Sequence, residues 1–362
     1  MTPKFHTLAI ADVRRETPDA VSIAFAVPAA LAGAYRYLPG QYVTLKTEID
    51  GEEVRRSYSI CSGLDDGELR VAVKRIAGGA FSAYANEVLA PGMAIDVMTP
   101  MGRFVLPTPA PGEARIIAAF AAGSGITPVM AHLETMLRRE PDCRFFLFYG
   151  NQTSSSILFH DRIDDLKDRH LQRLSVYHVL SREQQDVSLL SGRIDAEKVG
   201  TFMRHVVPFA AVDHVLLCGP GGLIEQTRQT LTGLGVPAGK IHAELFSPAD
   251  GSGQIRRRSR PVEAAASEPP AATVTITLDG VTRAFGVLAG ETVIDAATRQ
   301  GIDAPFSCKG GMCCTCRAKL VEGEAEMTLN YSLEPWEIER GFILTCQAVP
   351  KSKRLVLDYD QM

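Results

Sequence analysis

The sequence predicts a multidomain chain: an antiparallel β-barrel, then an α/β domain on a parallel sheet, then a small α+β domain beyond a linker. Three observations carry that prediction. Short β-branched or alternating runs, broken by Gly, Pro and Asp, fill the chain up to about residue 105. Buried strands then alternate with helical segments, the rhythm of a parallel sheet. Finally, residues 247–272 are rich in Gly, Ser, Pro, Ala and Arg, without apolar periodicity, and precede a cysteine-rich end. The 362 residues suit about two to three domains. With 46% hydrophobic residues and a net charge of -4, global disorder is excluded and charge makes no case for nucleic acid.

Taken in order, residues 20–27, 42–47, 56–62 and 68–74 read as strands of the barrel, which is assigned to 1–110. The α/β domain, 111–246, takes strands at 115–122, 144–149, 174–180 and 214–218 and a helix at 128–139. The linker, 247–272, contains Arg256, Arg257 and Arg258, read as a solvated run, and would span roughly 25 to 30 Å if flexible. The last domain, 273–362, opens with a hairpin, 273–278 and 281–285, around Asp279-Gly280. A helix at 292–300 follows. The longest apolar run, residues 116–122, is far too short to span a membrane, and the first residues carry no secretory pattern, so a cytoplasmic protein without membrane insertion is expected.

Eight cysteines are distributed very unevenly, with five in the last sixth of the chain. Cys308-x4-Cys313-x2-Cys316, followed by Cys346, has the plant-type spacing of [2Fe-2S] ligands. Such a core takes three thiolates from one tight loop and a fourth from a distant segment. Gly310 and Gly311 let the backbone approach closely and turn N–H groups toward sulfur. Cys314 falls out of register and is not counted as a ligand. A four-cysteine zinc site is the alternative, although zinc more often uses two C-x2-C pairs and only one is present. The eight histidines form no H-E-x-x-H or comparable pair, and none is assigned a metal.

Gly123-Ser124-Gly125-Ile126-Thr127-Pro128 follows an apolar strand and opens a helix, leaving N–H groups and the positive helix end free for a phosphate. It lacks the third glycine of the dinucleotide fingerprint, so by itself it remains only a turn.

The ordered set Arg56-Ser57-Tyr58-Ser59, Gly78-Gly79-Ala80-Phe81-Ser82, Gly123 to Pro128, Cys218-Gly219-Pro220 and Glu244-Leu245-Phe246 resembles the ferredoxin-NADP reductase superfamily. With a ferredoxin-like (β-grasp) domain carrying the cysteines at its end, the chain is similar to reductase components of bacterial oxygenases. Further matching stretches run from Leu190 to Asp195, Asn330 to Pro335 and Gly341 to Ala348.

The resemblance implies FAD, with FMN the alternative, in the barrel. Arg56 would hold the pyrophosphate, Tyr58 would stack on the ring, and Ser59 would bond near its reactive nitrogen. A forked guanidinium suits phosphate and an aromatic face suits a planar ring. Ser57, Lys74, Gly78, Gly79 and Ser82 complete the implied flavin site. Gly123, Gly125 and Thr127 match the nicotinamide dinucleotide turn. Cys218, Gly219 and Pro220 match the segment beside the nicotinamide, with a packing role the alternative for Cys218. Glu244 and Phe246 match the closing edge of the reductase portion; Tyr58, Ser59, Cys218 and Glu244 form the implied catalytic set.

Ser181 and Arg182 resemble the pair that holds a 2′-phosphate, favouring NADPH, while Gln152 stands where an arginine is common and keeps NADH open. The implied route runs from NAD(P)H through flavin and cluster to a separate oxygenase, a multisubunit di-iron enzyme. A reductase for a steroid or aromatic-ring hydroxylase is the alternative within the class. A non-catalytic iron–sulfur carrier or sensor, or a zinc-stabilised interaction protein, is the alternative outside it. Glu322, Glu324, Glu326, Glu337 and Glu339 read as solvated acidic surface, and Trp336 as a packed residue.

Overall fold

The computed structural model describes residues 3–110, 112–247 and 269–361. They form two compact units, one containing most of the barrel and the parallel sheet, the other the C-terminal domain with residues 55–57.

In the barrel, β1 (Phe5–Thr17), β2 (Ala20–Ala26), β3 (Tyr42–Ile49), β4 (Glu52–Ser59), β5 (Leu69–Lys74) and β6 (Ala94–Met98) pair in the order β4-β3-β6-β1-β2-β5. The outer strands are joined by an antiparallel bridge between Ile60, just past β4, and Val71 of β5, which curls the sheet closed. Leu8, Ile10, Val21, Ile23, Val43, Leu45, Val71, Val73 and Val97 fill its interior. Helix α1 (Ala80–Glu87) follows β5. The sequence reading lacks β1 and β6. In β1 the register slips at Ile10/Asp12 and again at Arg15/Thr17, so bulges break the two-residue alternation that marks a strand.

The α/β part has β7 (Ile116–Ala122), α2 (Ile126–Arg139), β8 (Arg144–Asn151), α3 (His160–Arg169), β9 (Leu174–Leu180), α4 (Ala196–His205), β10 (His214–Pro220), α5 (Gly221–Gly233) and β11 (Ile241–Ser247). All five strands run parallel in the order β11-β10-β7-β8-β9. The chain leaves the centre toward β9 and then returns to the other side of β7. The ends of β7 and β10 therefore flank a topological switch point, where open α/β sheets bind ligands. Asp195, in one of the stretches that carry the resemblance, caps α4 by accepting from the Lys198 N–H at 2.9 Å. The barrel and this sheet share hydrophobic core, with Ala20, Cys61, Ala72 and Phe104 joining Ile117, Val129 and Leu216.

The C-terminal unit holds β12 (Ala272–Leu278), β13 (Val281–Val287), α6 (Val293–Arg299), β14 (Arg317–Glu322), β15 (Ala325–Met327), α7 (Pro335–Glu339), β16 (Phe342–Leu344), β17 (Ala348–Pro350) and β18 (Arg354–Asp358). Its sheet runs β13-β12-β18-β14-β16, with β12 and β18 parallel and the other neighbours antiparallel, and β15 pairs β17 apart from it. Asp279 and Gly280 both take positive φ, 52° and 71°, as a tight two-residue hairpin turn requires. Thr292 caps α6 by accepting from the Asp295 N–H. The expected linker's ends lie in strands, at Ser247 and Ala272, and its residues 248–268 lie outside the described residues. No helix among the described residues is long and apolar enough to cross a membrane.

Candidate functional site

The cysteine loop joins α6 to β14. Lys309, Gly311 and Cys314 take positive φ, which coils the loop tightly. A Cβ on Gly311 would meet the Leu329 carbonyl oxygen at 3.0 Å, so that residue is confined by its neighbour as well as by its φ. The four expected ligands couple as two neighbouring pairs, Cys308 with Cys313 and Cys316 with Cys346. The neighbouring Cys313 thiol and the N–H groups of Gly310, which donates to Cys308 Sγ at 3.3 Å, Met312 and Cys313 hold the Cys308 pKa down to about 6. Burial and the shared hydrogen bonds push Cys313 and Cys316 up.

Two thiol pairs fit a cluster with two irons, each taking two cysteines, while one tetrahedral zinc would draw all four sulfurs together. Among the described residues, the His, Cys, Asp or Glu group whose ligand atoms all lie within 4.8 Å is a different one, His160, Asp164 and His178. Cys314 turns aside, its thiol donating to Ser332 Oγ at 3.0 Å. Ser332 in turn donates to the Gly311 carbonyl, and Asn330 Oδ1 accepts from the N–H groups of Ser332 and Leu333. The Asn330 to Pro335 stretch is thus the back wall of the loop. Gln347 ties the distant segment to it by donating to the Lys309 carbonyl at 2.8 Å.

Two details differ from the sequence reading. Glu337 is fully buried and pairs at 2.9 Å with Arg317, the first residue of β14, from a helix that packs against β16. Trp336, one residue earlier on that helix, faces outward at 48% exposure with the Arg340 guanidinium over its ring. Glu322, Glu324, Glu326 and Glu339 are exposed as expected.

In the barrel, Tyr58 lies 5.5 Å from the ring of Phe81, which α1 supplies. Arg56 is exposed and Ser57 half-buried on the same strand. Gly78 has φ +71°, and Gly79 caps α1 without a side-chain hydrogen bond and with no acidic residue in the first turn. The first N–H groups of the helix therefore keep their attraction for a phosphate. A Cβ on Gly79 would meet Ser82 Oγ at 2.6 Å; that hydroxyl accepts from the Ile76 N–H and donates to the Gly79 carbonyl, locking the loop. Lys74 at the end of β5 pairs with Asp19 at 3.5 Å.

At the switch point, residues 123–125 form a 3-10 turn directly before α2, again without a side-chain cap. Gly123 has φ +53°, and its carbonyl accepts from Tyr149 OH at 2.9 Å. Thr127, buried in the first turn, donates to the Ser124 carbonyl. A Cβ on Gly125 would sit 2.3 Å from the Cys218 carbonyl oxygen. Gly125 and the Cys218-Gly219-Pro220 segment are thus one steric unit, although 93 positions separate Gly125 from Cys218. Gly219 is buried with φ +150°, while Pro220 is exposed.

Cys218 on β10 is the register partner of Glu244 on β11, and Glu244 Oε2 accepts from Ser59 Oγ of the barrel at 3.1 Å. The structure so brings together three of the four expected catalytic residues. Glu244 keeps part of its surface open, but protein hems in the carboxyl; burial raises its pKa to about 7, with the Ser59 hydroxyl opposing. Burial, with Glu244's charge, pushes the Cys218 thiol far up. Phe246 is half-buried against the shared core.

Because 4.5 is the ordinary value for Glu244, the native state prefers its protonated form. That preference contributes fully below about pH 4.5 and is lost as pH rises through 7. Glu244→Gln, permanently neutral, is therefore expected to melt with the wild type at pH 5 and above it at pH 8 in paired thermal scans.

Ser181 and Arg182 are exposed after β9, their N–H groups donating to the carbonyls of Asn151 and Gln152. Glu183, which the sequence reading omits, accepts from both the N–H and the hydroxyl of Ser154. A carboxylate thus sits one residue from the arginine proposed to meet a phosphate.

The oxidoreductase FAD-binding domain matches residues 8–106, the oxidoreductase NAD-binding domain 120–229, and the 2Fe-2S iron-sulfur cluster binding domain 276–351. The protein is an NAD(P)H-dependent oxidoreductase whose cofactors are FAD, a nicotinamide nucleotide and a [2Fe-2S] cluster. The chain belongs to the family of reductase components of multicomponent oxygenases. It is 44% identical over 357 residues to a component polypeptide of the 1,2-phenylacetyl-CoA epoxidase of Escherichia coli K12, covering 98% of each chain. It is 33% identical to the ferredoxin reductase component of 3-ketosteroid-9-alpha-monooxygenase from Rhodococcus rhodochrous, covering 97% of this chain and 96% of the other. Among solved structures, phthalate dioxygenase reductase shares the fold, with a TM-score of 0.59, 24% identity and 98% of both chains covered.

Proposed function

We propose that this chain is the reductase of a phenylacetyl-CoA epoxidase, a multisubunit di-iron oxygenase, and works in the cytoplasm. The observation that carries this reading is the 44% identity, spread over 98% of both chains, to a component of that enzyme. Its working parts divide as 1–110 for flavin, 111–246 for nicotinamide, 247–272 as linker and 273–362 for the cluster.

The bound groups supply the conversion of a two-electron hydride donor into single electrons for the acceptor. The chain's own residues orient and hold. Tyr58 covers one face of the flavin, while Arg56, Ser57, Lys74, Gly78, Gly79 and Ser82 take its phosphate end. Ser59, fixed by Glu244, presents its hydroxyl near the reactive ring edge. Gly123, Gly125 and Thr127 shape the turn that receives the nicotinamide diphosphate; Cys218, Gly219, Pro220 and Phe246 line the approach of the nicotinamide ring. Cys308, Cys313, Cys316 and Cys346 ligate the cluster. Holding two rings in a reactive orientation is where such a protein gains rate.

The test is reduction of a purified epoxidase complex by this protein under NADPH and under NADH, with epoxide formation followed. Efficient transfer to a steroid hydroxylase but none to the epoxidase would overturn the partner assignment. Ser181 and Arg182 are assigned to the 2′-phosphate, so Arg182→Ala is expected to raise KM for NADPH about tenfold and leave KM for NADH unchanged. Equal effects on both would remove that role.

A further inference from the structure

We propose that His160, Asp164 and His178 form a binding site for a divalent transition-metal ion of the zinc class, on the edge of the nicotinamide domain and separate from the cluster. One ligand atom from each of the three lies within 4.8 Å of the other two. His160 and Asp164 are four apart on α3 and so share one face of that helix, with His160 Nδ1 3.5 Å from Asp164 Oδ2. His178 comes from β9, the outer strand of the parallel sheet, and its ring stacks on His160 at 5.7 Å between centroids.

The second observation is the state of His178. Both of its ring nitrogens are buried without a hydrogen-bond partner. An imidazole carries at least one N–H and, when neutral, one lone pair, so this arrangement leaves two polar groups unmet. A metal would take the lone pair.

Two imidazoles and one carboxylate suit zinc, nickel or cobalt, whereas calcium and magnesium demand oxygen donors. Ligands at tetrahedral bond lengths stand about 3.3 Å apart, so rotation of the exposed His160 and Asp164 side chains suffices to close the site. Water would complete the coordination. An ion held there would pin α3 to the edge strand and, binding only the folded state, would raise thermal stability.

The test is calorimetric titration of zinc chloride into the flavin- and cluster-loaded protein, freed of chelator, beside the double variant H160N/D164N. Both substitutions lie on an exposed helix face and keep the fold. The wild type is expected to bind one ion more than the variant does and to gain several degrees of melting temperature in zinc, a gain the variant lacks. Flavin and cluster absorbance should match in the two proteins. His178→Gln should lose the same binding event. Zinc held by cysteines would appear equally in all three proteins; identical isotherms, or no binding in the wild type, would overturn the site.

Discussion

Cys313→Ser should abolish the cluster while sparing the flavin half of the protein. Cys313 is half-buried beside Cys308, and the adjacent thiol cannot replace it because Cys314 points away to Ser332. Iron content and the cluster's visible and paramagnetic signals should fall to background. NAD(P)H-driven reduction of a dye that accepts electrons from flavin should stay within about twofold, because the glycine turns and the Ser59–Glu244 contact belong to the other compact unit. Cys314→Ser should keep the full signal. Loss of dye reduction along with the cluster would show that the two halves are not separable.

Gly125→Val carries the second large effect. A Cβ there would lie 2.3 Å from the Cys218 carbonyl oxygen, 2.5 Å from its carbon and 2.8 Å from the Gly219 nitrogen. All three atoms are backbone, so the turn or the end of β10 must move, and both border the proposed nicotinamide site. A displacement near 1 Å at a reacting centre costs about a hundredfold in rate, and overpacking costs a further 1 to 3 kcal/mol or so of stability. The expected result is kcat/KM for NAD(P)H down about a hundredfold, with flavin and cluster content unchanged. Gly233→Ala, where a new Cβ meets nothing within 4 Å, is the control and should leave turnover alone. Near-normal hydride transfer in Gly125→Val would mean that this close approach does not shape the nicotinamide site.

Much of this architecture was legible because local rules were obeyed. The Asp279-Gly280 hairpin and four of the five parallel-sheet strands announce themselves within a few residues, whereas β11 and the capping role of Thr292 come from the structure. The exceptions have local causes as well. Bulges hid β1, and α2 starts at Ile126 because the 3-10 turn runs straight into it, with Pro128 in its first turn. Glu337 looked like one acidic residue among several, yet it is buried and paired with the Arg317 guanidinium.

The sequence by itself determined the chemistry of the cluster, because a cluster needs cysteines at a fixed spacing, whereas a glycine turn before a helix is by itself only a turn. Only the tertiary structure decided which residues meet. Ser59 reaches Glu244 across 185 positions, Gly125 is held by Cys218, and the thiols divide into two pairs. The reason is physical: spacing along the chain governs contacts within one turn or hairpin, while strand order and the return of the chain across β7 set every contact between distant segments.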